Sequence, residues 1–89
     1  MRAYITVAGR DNIGIIAKVS VFCADFNVNI LEVSQTVLDQ CFAMIMMVDI
    51  GSIRIPLAEF IDKIRQEGEG WGLDIHVMRE DIFNAMHRI

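Results

Sequence analysis

The chain has 89 residues and a formal net charge of −4, and 54% of its residues are hydrophobic, above the ~45–50% of an average soluble domain. This length fits one domain, and the acidic balance argues against a protein that binds nucleic acid through its phosphates. The sequence contains no apolar run of the ~20 residues that cross a bilayer, and its start predicts no signal peptide. We therefore expect a cytoplasmic domain, away from membranes, whose apolar surplus is covered by a partner subunit.

Strand and helix patterns alternate in the first third of the chain. Residues 3–8 (AYITVA) are a short run of strand formers, and the turn residues 9–12 follow them. Residues 13–26 have a helical apolar pattern that leaves only a narrow polar stripe, and Asn27 ends the predicted helix. We expect the broad apolar surface of this helix to take part in self-association.

Two strands are predicted next. Residues 28–38 alternate as a strand does, but the alternation switches around Ile30-Leu31, which indicates a bulge. Asp39-Gln40 has the length of a tight hairpin turn. Residues 41–50 (CFAMIMMVDI) are apolar on both faces except for Asp49, so we expect this strand to be covered on both sides.

The last third of the chain predicts a helix, a strand and a short helix. Pro56 suits a first helical position, and apolar residues follow it at i, i+3, i+4 and i+7. The glycines at positions 68, 70 and 72 are expected to end this helix. Residues 73–78 alternate as an edge strand with one wet face does. Residues 80–89 place their apolar side chains on one side of a terminal helix.

The predicted order is therefore βαββαβ followed by a short helix. With right-handed crossovers, this order gives an α+β, ferredoxin-like sandwich, in which both helices lie on one face of a four-stranded antiparallel sheet. The two most apolar strands, over residues 3–8 and 41–50, take the central positions of that topology.

The segment from Gly9 to Gly14 (GRDNIG) is the first candidate site. Its outer glycines have the spacing of a phosphate-binding loop, but Ile15-Ile16 stand where that loop needs Lys and Ser or Thr, so nucleotide binding is disfavoured. Free backbone N–H groups at the start of the next helix can still hold a small carboxylate. The alternative is an ordinary strand-to-helix turn, capped by Asp11 or Asn12.

Elsewhere the sequence offers little chemistry. His76 and His87 have no Cys or carboxylate at ligand spacing, and the two cysteines lie 18 residues apart, so we predict no catalytic residue, metal site or cofactor. Asn29 is harder to explain as a structural residue, because a polar amide at the start of an interior strand needs partners if it is buried.

Taken together, these residues resemble a known family. Asp11-Asn12-Ile13-Gly14 followed by Ile15-Ile16, and Asn29-Ile30 opening the second strand, resemble the ACT domain family. The match covers residues 1–80 as the domain and leaves residues 81–89 as a C-terminal helical extension. Within the family, the chain resembles small single-domain proteins of bacteria and archaea, and each half of the glycine-cleavage-system transcriptional repressor.

The resemblance implies a function. ACT domains generally pair, and many bind amino acids at the interface as allosteric effectors. Asp11, Asn12, Ile13 and Gly14 match the loop that approaches the ligand, and Asn29 and Ile30 match the facing strand. The implied protein is a non-enzymatic regulatory homodimer or larger oligomer that binds a small amino acid or related metabolite and modulates an enzyme or a transcription regulator.

Two alternatives stay open at this point. The same fold can serve as a ligand-free oligomerisation or interaction module. It can also be a small oligomeric enzyme with an active site at the interface, for which fold analogy is the only argument.

Overall fold

The computed structural model describes residues 1–10 and 14–86, except for the side chain of Leu38. Within this part of the chain, the elements in chain order are β1 (Arg2–Arg10), α1 (Ile15–Asp25), β2 (Asn29–Leu38), β3 (Cys41–Asp49), α2 (Leu57–Gly70), β4 (Leu73–Arg79) and α3 (Glu80–Met86). The strands form an antiparallel sheet in the order β2-β3-β1-β4. The predicted ferredoxin-like sandwich is confirmed, with β1 and β3 in its centre.

The hydrophobic core lies between one face of this sheet and the helices α1 and α2. Helix α1 turns residues at i, i+4 and i+8 towards the core, and α2 does the same, because these positions share one side of a helix. Each fully buried aliphatic or aromatic side chain contributes about 1.5–3 kcal/mol of transfer free energy. The core residues on the central strands and the helices are Ala3, Ile5, Val7, Phe42, Met44, Met46, Val48, Ile15, Val19, Cys23, Phe60 and Ile64.

Strand β1 runs further than the sequence predicts. Gly9 and Arg10 belong to it rather than to a turn, because they pair with Phe42 and Cys41 on β3. A Cβ atom built on Gly9 would lie 2.8 Å from Leu73 Cδ2 on the neighbouring strand. The glycine therefore permits a close approach between strands, and the prediction of a turn at this position was wrong.

The glycines at positions 68, 70 and 72 mark the end of α2 as predicted, since the helix ends at Gly70, but the first of them does not interrupt it. Gly68 and Gly70 lie inside the helix, and it is Gly72, at φ 76°, that follows the helix end in the left-handed conformation. Gly68 is buried against β4, where an added Cβ would lie 2.6 Å from Ile75 Cδ1. Its role is to let the helix approach the sheet.

Strand β2 is an uncovered edge of the sheet. Its register shifts between Ile30 and Glu32, which confirms the predicted bulge. Beyond the bulge, residues 31–37 are all exposed, and they include Val33 at 41% and Val37 at 56% exposure. An edge strand presents unpaired main-chain N–H and C=O groups, which can pair with a strand of another chain.

The sheet face opposite α1 and α2 is only partly covered within the chain. On β3, Ile45 is 47% exposed, so the expected cover on both sides of this strand is present on one side only. Helix α3 lies over one end of the open face, where the ring of Phe83 is 4.5 Å from that of Tyr4 and Arg2 pairs with Glu80 at 2.7 Å. The predicted terminal helix is thus present, although its last three residues, 87–89, lie outside the described part.

No helix among the described residues combines the length and the hydropathy that crossing a membrane requires.

Candidate functional site

The predicted ligand loop is described only at its final residue. Asp11, Asn12 and Ile13 lie outside the described residues, and Gly14 is the N-cap of α1, at φ 85° and ψ 12°. A Cβ on Gly14 would meet no atom within 4 Å, so glycine is required here by its backbone conformation and not by space. The first turn of α1 behind it leaves main-chain N–H groups without helical partners, as every helix start does.

Asn29 lies at the opposite end of the fold. Gly14 precedes α1 and Asn29 follows it, and eleven helical residues at ~1.5 Å each span about 16 Å. The strand register agrees with this placement, because Asn29 pairs with Asp49 at the end of β3, whereas Arg10 pairs with Cys41 at its beginning. A single chain therefore does not bring Gly14 and Asn29 together.

Asn29 opens a cleft of about 400 Å³ where three elements meet. The end of α1, the start of β2 and the loop after β3 contribute the residues that line it: Ala24, Asn27, Val28, Asn29, Asp49 and Ser52. Asn29 is exposed, while its neighbour Ile30 is half-buried and packs against the core. The amide that seemed to need partners as a buried group is thus available to solvent.

A hydrogen bond across the cleft fixes one wall. Asn27 has φ 60°, a left-handed conformation that asparagine tolerates better than most residues. Its side-chain Nδ2 donates to the main-chain oxygen of Ser52 at 2.9 Å, which ties the end of α1 to the loop after β3. The hydrogen bond thus links two of the elements that line the cleft.

The one acidic side chain of the cleft, Asp49, is already engaged within the chain. Asp49 Oδ1 accepts a hydrogen bond from the Gly51 N–H at 2.8 Å, and the amino group of Met1 lies 3.7 Å from the same oxygen. The side chain of Asp49 is 48% exposed. Among the described residues that line the cleft, Asp49 is the charged one and none is basic.

The sequence held a partial signal for this cleft. Asp49 was the one polar residue in an otherwise apolar strand, and Asn27 stood two residues before Asn29. Ser52 carried no signal at all. Nothing in the sequence indicated that these residues lie together, because their proximity depends on the antiparallel pairing of β2 with β3.

A second concavity lies between α1 and α2 and is lined by aromatic residues. The rings of Phe22 and Phe26 pack against each other at 5.1 Å, and the Lys18 ammonium lies 5.9 Å from the centre of the Trp71 ring. This groove measures about 510 Å³. Its side chains are engaged with one another, so we interpret it as the outer rim of the core.

The described residues contain neither a cluster of three metal-ligating groups nor a disulfide. Cys41 is exposed, whereas Cys23 is fully buried, and this burial raises the pKa of the Cys23 thiol to about 11. A thiol with such a pKa stays protonated at neutral pH and is a weak nucleophile.

Comparison with known proteins agrees with the fold. The ACT domain family model matches residues 2–78. A UPF0237 protein of Listeria monocytogenes is 47% identical over 89 residues, which cover all of both chains, and one of Methanocaldococcus jannaschii is 43% identical over 88 residues, covering 99% of this chain and 98% of its own. The structure of an ACT domain protein from Streptococcus pneumoniae superposes with a TM-score of 0.82 and 34% identity over 93% of each chain. The chain belongs to the ACT domain family.

Proposed function

We propose that the protein is a non-enzymatic regulatory domain that forms a homodimer and binds a small amino acid or related metabolite between its two copies. Occupancy of the site would modulate a partner, either an enzyme or a transcription regulator. The observation that carries the proposal is the position of Gly14 and Asn29 at opposite ends of a fold whose β2 edge is bare. If two copies pair their β2 edges about a two-fold axis, Asn29 of one copy comes close to the Gly14 loop of the other.

The pairing follows from antiparallel geometry. When two copies of β2 run antiparallel about a two-fold axis in the middle of residues 31–37, the start of one strand faces the end of the other. The end of β2 lies beside the start of β3, which in turn pairs with the end of β1, just before the Gly14 loop. Asn29 of one copy then lies at the same end of the dimer as the Gly14 loop of its partner.

Exposed apolar side chains support the same arrangement. On β2, Leu31, Val33 and Val37 are between 41% and 56% exposed, and Ile16 on α1 is 38% exposed. Ala24 is also exposed, eight residues after Ile16, so both lie on one side of α1. Burying this patch against a second copy removes apolar area from water at about 25 cal/mol per Å². In the proposed dimer, part of the exposed apolar surface of the chain is therefore covered by the second copy.

The two ends that meet have complementary chemistry for an amino acid. The N-terminus of α1 offers main-chain N–H groups and the positive end of the helix dipole to a carboxylate. Asn29 offers a donor and an acceptor from the other copy. Because binding engages both copies, it is thermodynamically coupled to any partner that distinguishes the occupied dimer from the empty one.

Titration calorimetry with each of the twenty amino acids tests this proposal, with the Asn29→Ala variant as the control. At least one amino acid should bind the wild type and bind the variant more weakly. If none binds, the amino-acid sensor is wrong. The ligand-free interaction module then stands, because the bare β2 edge can recruit a protein without any ligand.

None of the residues that the structure describes favours the enzyme alternative. Among the described residues, the one histidine, His76, is exposed on the edge strand β4 and pairs with Asp74 at 3.0 Å. A screen for metabolite turnover that found a saturable product would support the enzyme over the regulatory domain.

A further inference from the structure

The open face of the sheet, opposite α1 and α2, is uncharged along its centre. Between the ends of the two central strands, the side chains that alternate with the core residues are Tyr4, Thr6, Ala8, Ala43, Ile45 and Met47. Among the described residues, the charged side chains of this face lie at its rim, on the edge strands and at the strand ends. An exposed apolar area with a polar rim marks a site at which proteins interact.

Helix α3 gives the open face a raised end and a low end. It covers the end at which β4 finishes, where the ring of Phe83 packs on β1. The other large apolar side chains of α3, Ile82 and Met86, are 46% and 65% exposed. At the opposite end of the face the side chains of the central strands are small, because Ala8 pairs there with Ala43.

A surface of this shape is complementary to a second copy of itself. A two-fold axis that lies between two facing sheets and runs across their strands sets the raised end of each copy against the low end of the other. Sheets that pack face to face are ~10 Å apart, and a helix with its side chains is about as thick. Each α3 then fills the same layer as the opposite sheet, and its exposed side with Ile82 and Met86 contacts the end of that sheet.

We propose that the open face is an interface between copies of this chain, with the two sheets antiparallel and each α3 against the low end of the opposite sheet. This interface is separate from the β2 edge, and it rests on the proposed function because it joins dimers that have formed through β2. Two such dimers stack into a tetramer with three mutually perpendicular two-fold axes.

The area of the open face agrees with a second dimer as its occupant. Beyond α3, four strands at ~4.8 Å and residues 6–10 at ~3.3 Å each leave a flat area of roughly 300 Å² per chain. Stacking two dimers covers four such areas, or roughly 1,200 Å², before the contacts of α3 are added. Stable interfaces bury about 1,200–2,000 Å². Two single chains would cover only about half of that range's lower limit, so the face pairs stably only in chains already joined at β2.

Sedimentation of the full-length protein at high micromolar concentration measures the assembly. Ile45→Glu places a charge in the middle of the open face, where Ile45 is 47% exposed. The matched control is Val21→Glu, which places the same charge on an exposed apolar residue of α1, on the other side of the sheet. The wild type and Val21→Glu should sediment as tetramers, and Ile45→Glu should sediment as a dimer.

A chemical cross-link tests the contact between α3 and the low end of the opposite sheet. Cys41 is exposed at that low end, whereas Cys23 is buried. Within one chain, Cys41 lies six residues along β3 from Met47, which pairs with Tyr4 beneath α3, so about 20 Å separate it from the helix. In the Asn84→Cys variant, a short bismaleimide should therefore join Cys41 of one chain to α3 of another. The product is a covalent dimer on a denaturing gel.

Two further variants control the cross-link. Asp62→Cys places the new thiol on the exposed side of α2 and should give no more covalent dimer than the wild type. Adding Cys41→Ser to Asn84→Cys should abolish the product, because the two α3 helices lie at opposite ends of the stacked sheets.

Either of two results would overturn the inference: Ile45→Glu has the same mass as the wild type, or Asn84→Cys gives no cross-link that depends on Cys41. If the wild type is then a dimer that Val33→Lys, on the β2 edge, converts to a monomer, the proposed function stands. A wild type that sediments as a monomer contradicts both. A dimer that Ile45→Glu dissociates and Val33→Lys does not would support the interface at the open face and contradict the pairing of β2.

Discussion

Gly68 on α2 allows a quantitative test of how the helix packs on the sheet. A methyl group added by Gly68→Ala would lie 2.6 Å from Ile75 Cδ1, 2.8 Å from Ile75 Cγ1 and 3.3 Å from the main-chain oxygen of Leu73. Carbon atoms in contact are ordinarily about 3.5–4.0 Å apart, so the overlap approaches ~1 Å. Ile75 is 1% exposed, so its side chain is enclosed by the core and does not move out into solvent to make room. The substitution therefore pushes α2 away from β4.

Two effects of opposite sign decide the outcome. Alanine gains about 1 kcal/mol over glycine in a helix interior, whereas overpacking a core costs about 1–3 kcal/mol. We expect Gly68→Ala to lower the free energy of unfolding by up to about 2 kcal/mol. Gly70→Ala is the matched control, because a Cβ there meets nothing within 4 Å, and it should raise the free energy of unfolding by up to about 1 kcal/mol.

Urea denaturation of both variants at the same protein concentration measures the difference, with equal concentrations required because a dimer's stability depends on concentration. For a domain of this size, 1 kcal/mol corresponds to about 4–8 °C in Tm. If Gly68→Ala is as stable as Gly70→Ala or more so, the close packing of α2 on β4 is refuted.

Three further substitutions or measurements test other parts of the structure. If the proposed dimer forms through β2, Val33→Lys, which places a charge in the middle of the bare β2 edge, should give a monomer in sedimentation, whereas Asp62→Asn should not. Phe60→Ala empties a fully buried site beside Phe22 and Phe26 and should lower the free energy of unfolding by about 3–5 kcal/mol in urea denaturation. A thiol reagent should label Cys41 but not Cys23 in the native protein. Because burial raises the pKa of Cys23 from 9.0 to about 11, its contribution to stability should be complete below pH 9 and decline as the pH rises through 11.

The order and type of the elements followed from hydrophobic periodicity and turn residues, although β3 is apolar on both faces except at Asp49. The errors concern glycines. Gly9 and Gly68 resemble chain breaks in the sequence, but both serve close packing against a neighbouring element, at Leu73 and at Ile75. Such a role depends on which elements become neighbours in the fold, and that information is not local.

The candidate site shows the same limit. Gly14 and Asn29 were recognised as motif residues, yet their separation by the length of α1 only became evident from the strand register. Asp49 was noticed as a polar residue in an apolar strand but was not assigned to the site, since its position beside Asn29 follows from the pairing of β2 with β3. The division of the chain at residue 80 and the cytoplasmic location both stay predictions.

The central claim is that each binding site is shared between two copies of the chain. Asn29→Ala and Gly14→Val each impair one half of the site, the second because a β-branched residue does not fit φ 85°. In the dimer proposed here, each variant alone has two defective sites, but a heterodimer of the two variants has one site in which both halves are intact.

Calorimetry on the mixed variants, with the amino acid that binds the wild type most tightly, measures this directly. After random exchange of subunits, half of the dimers are heterodimers with one restored site each, so roughly a quarter of the wild-type binding capacity should return at wild-type affinity. A mixture that binds no more than the separate variants would contradict a site shared across the interface.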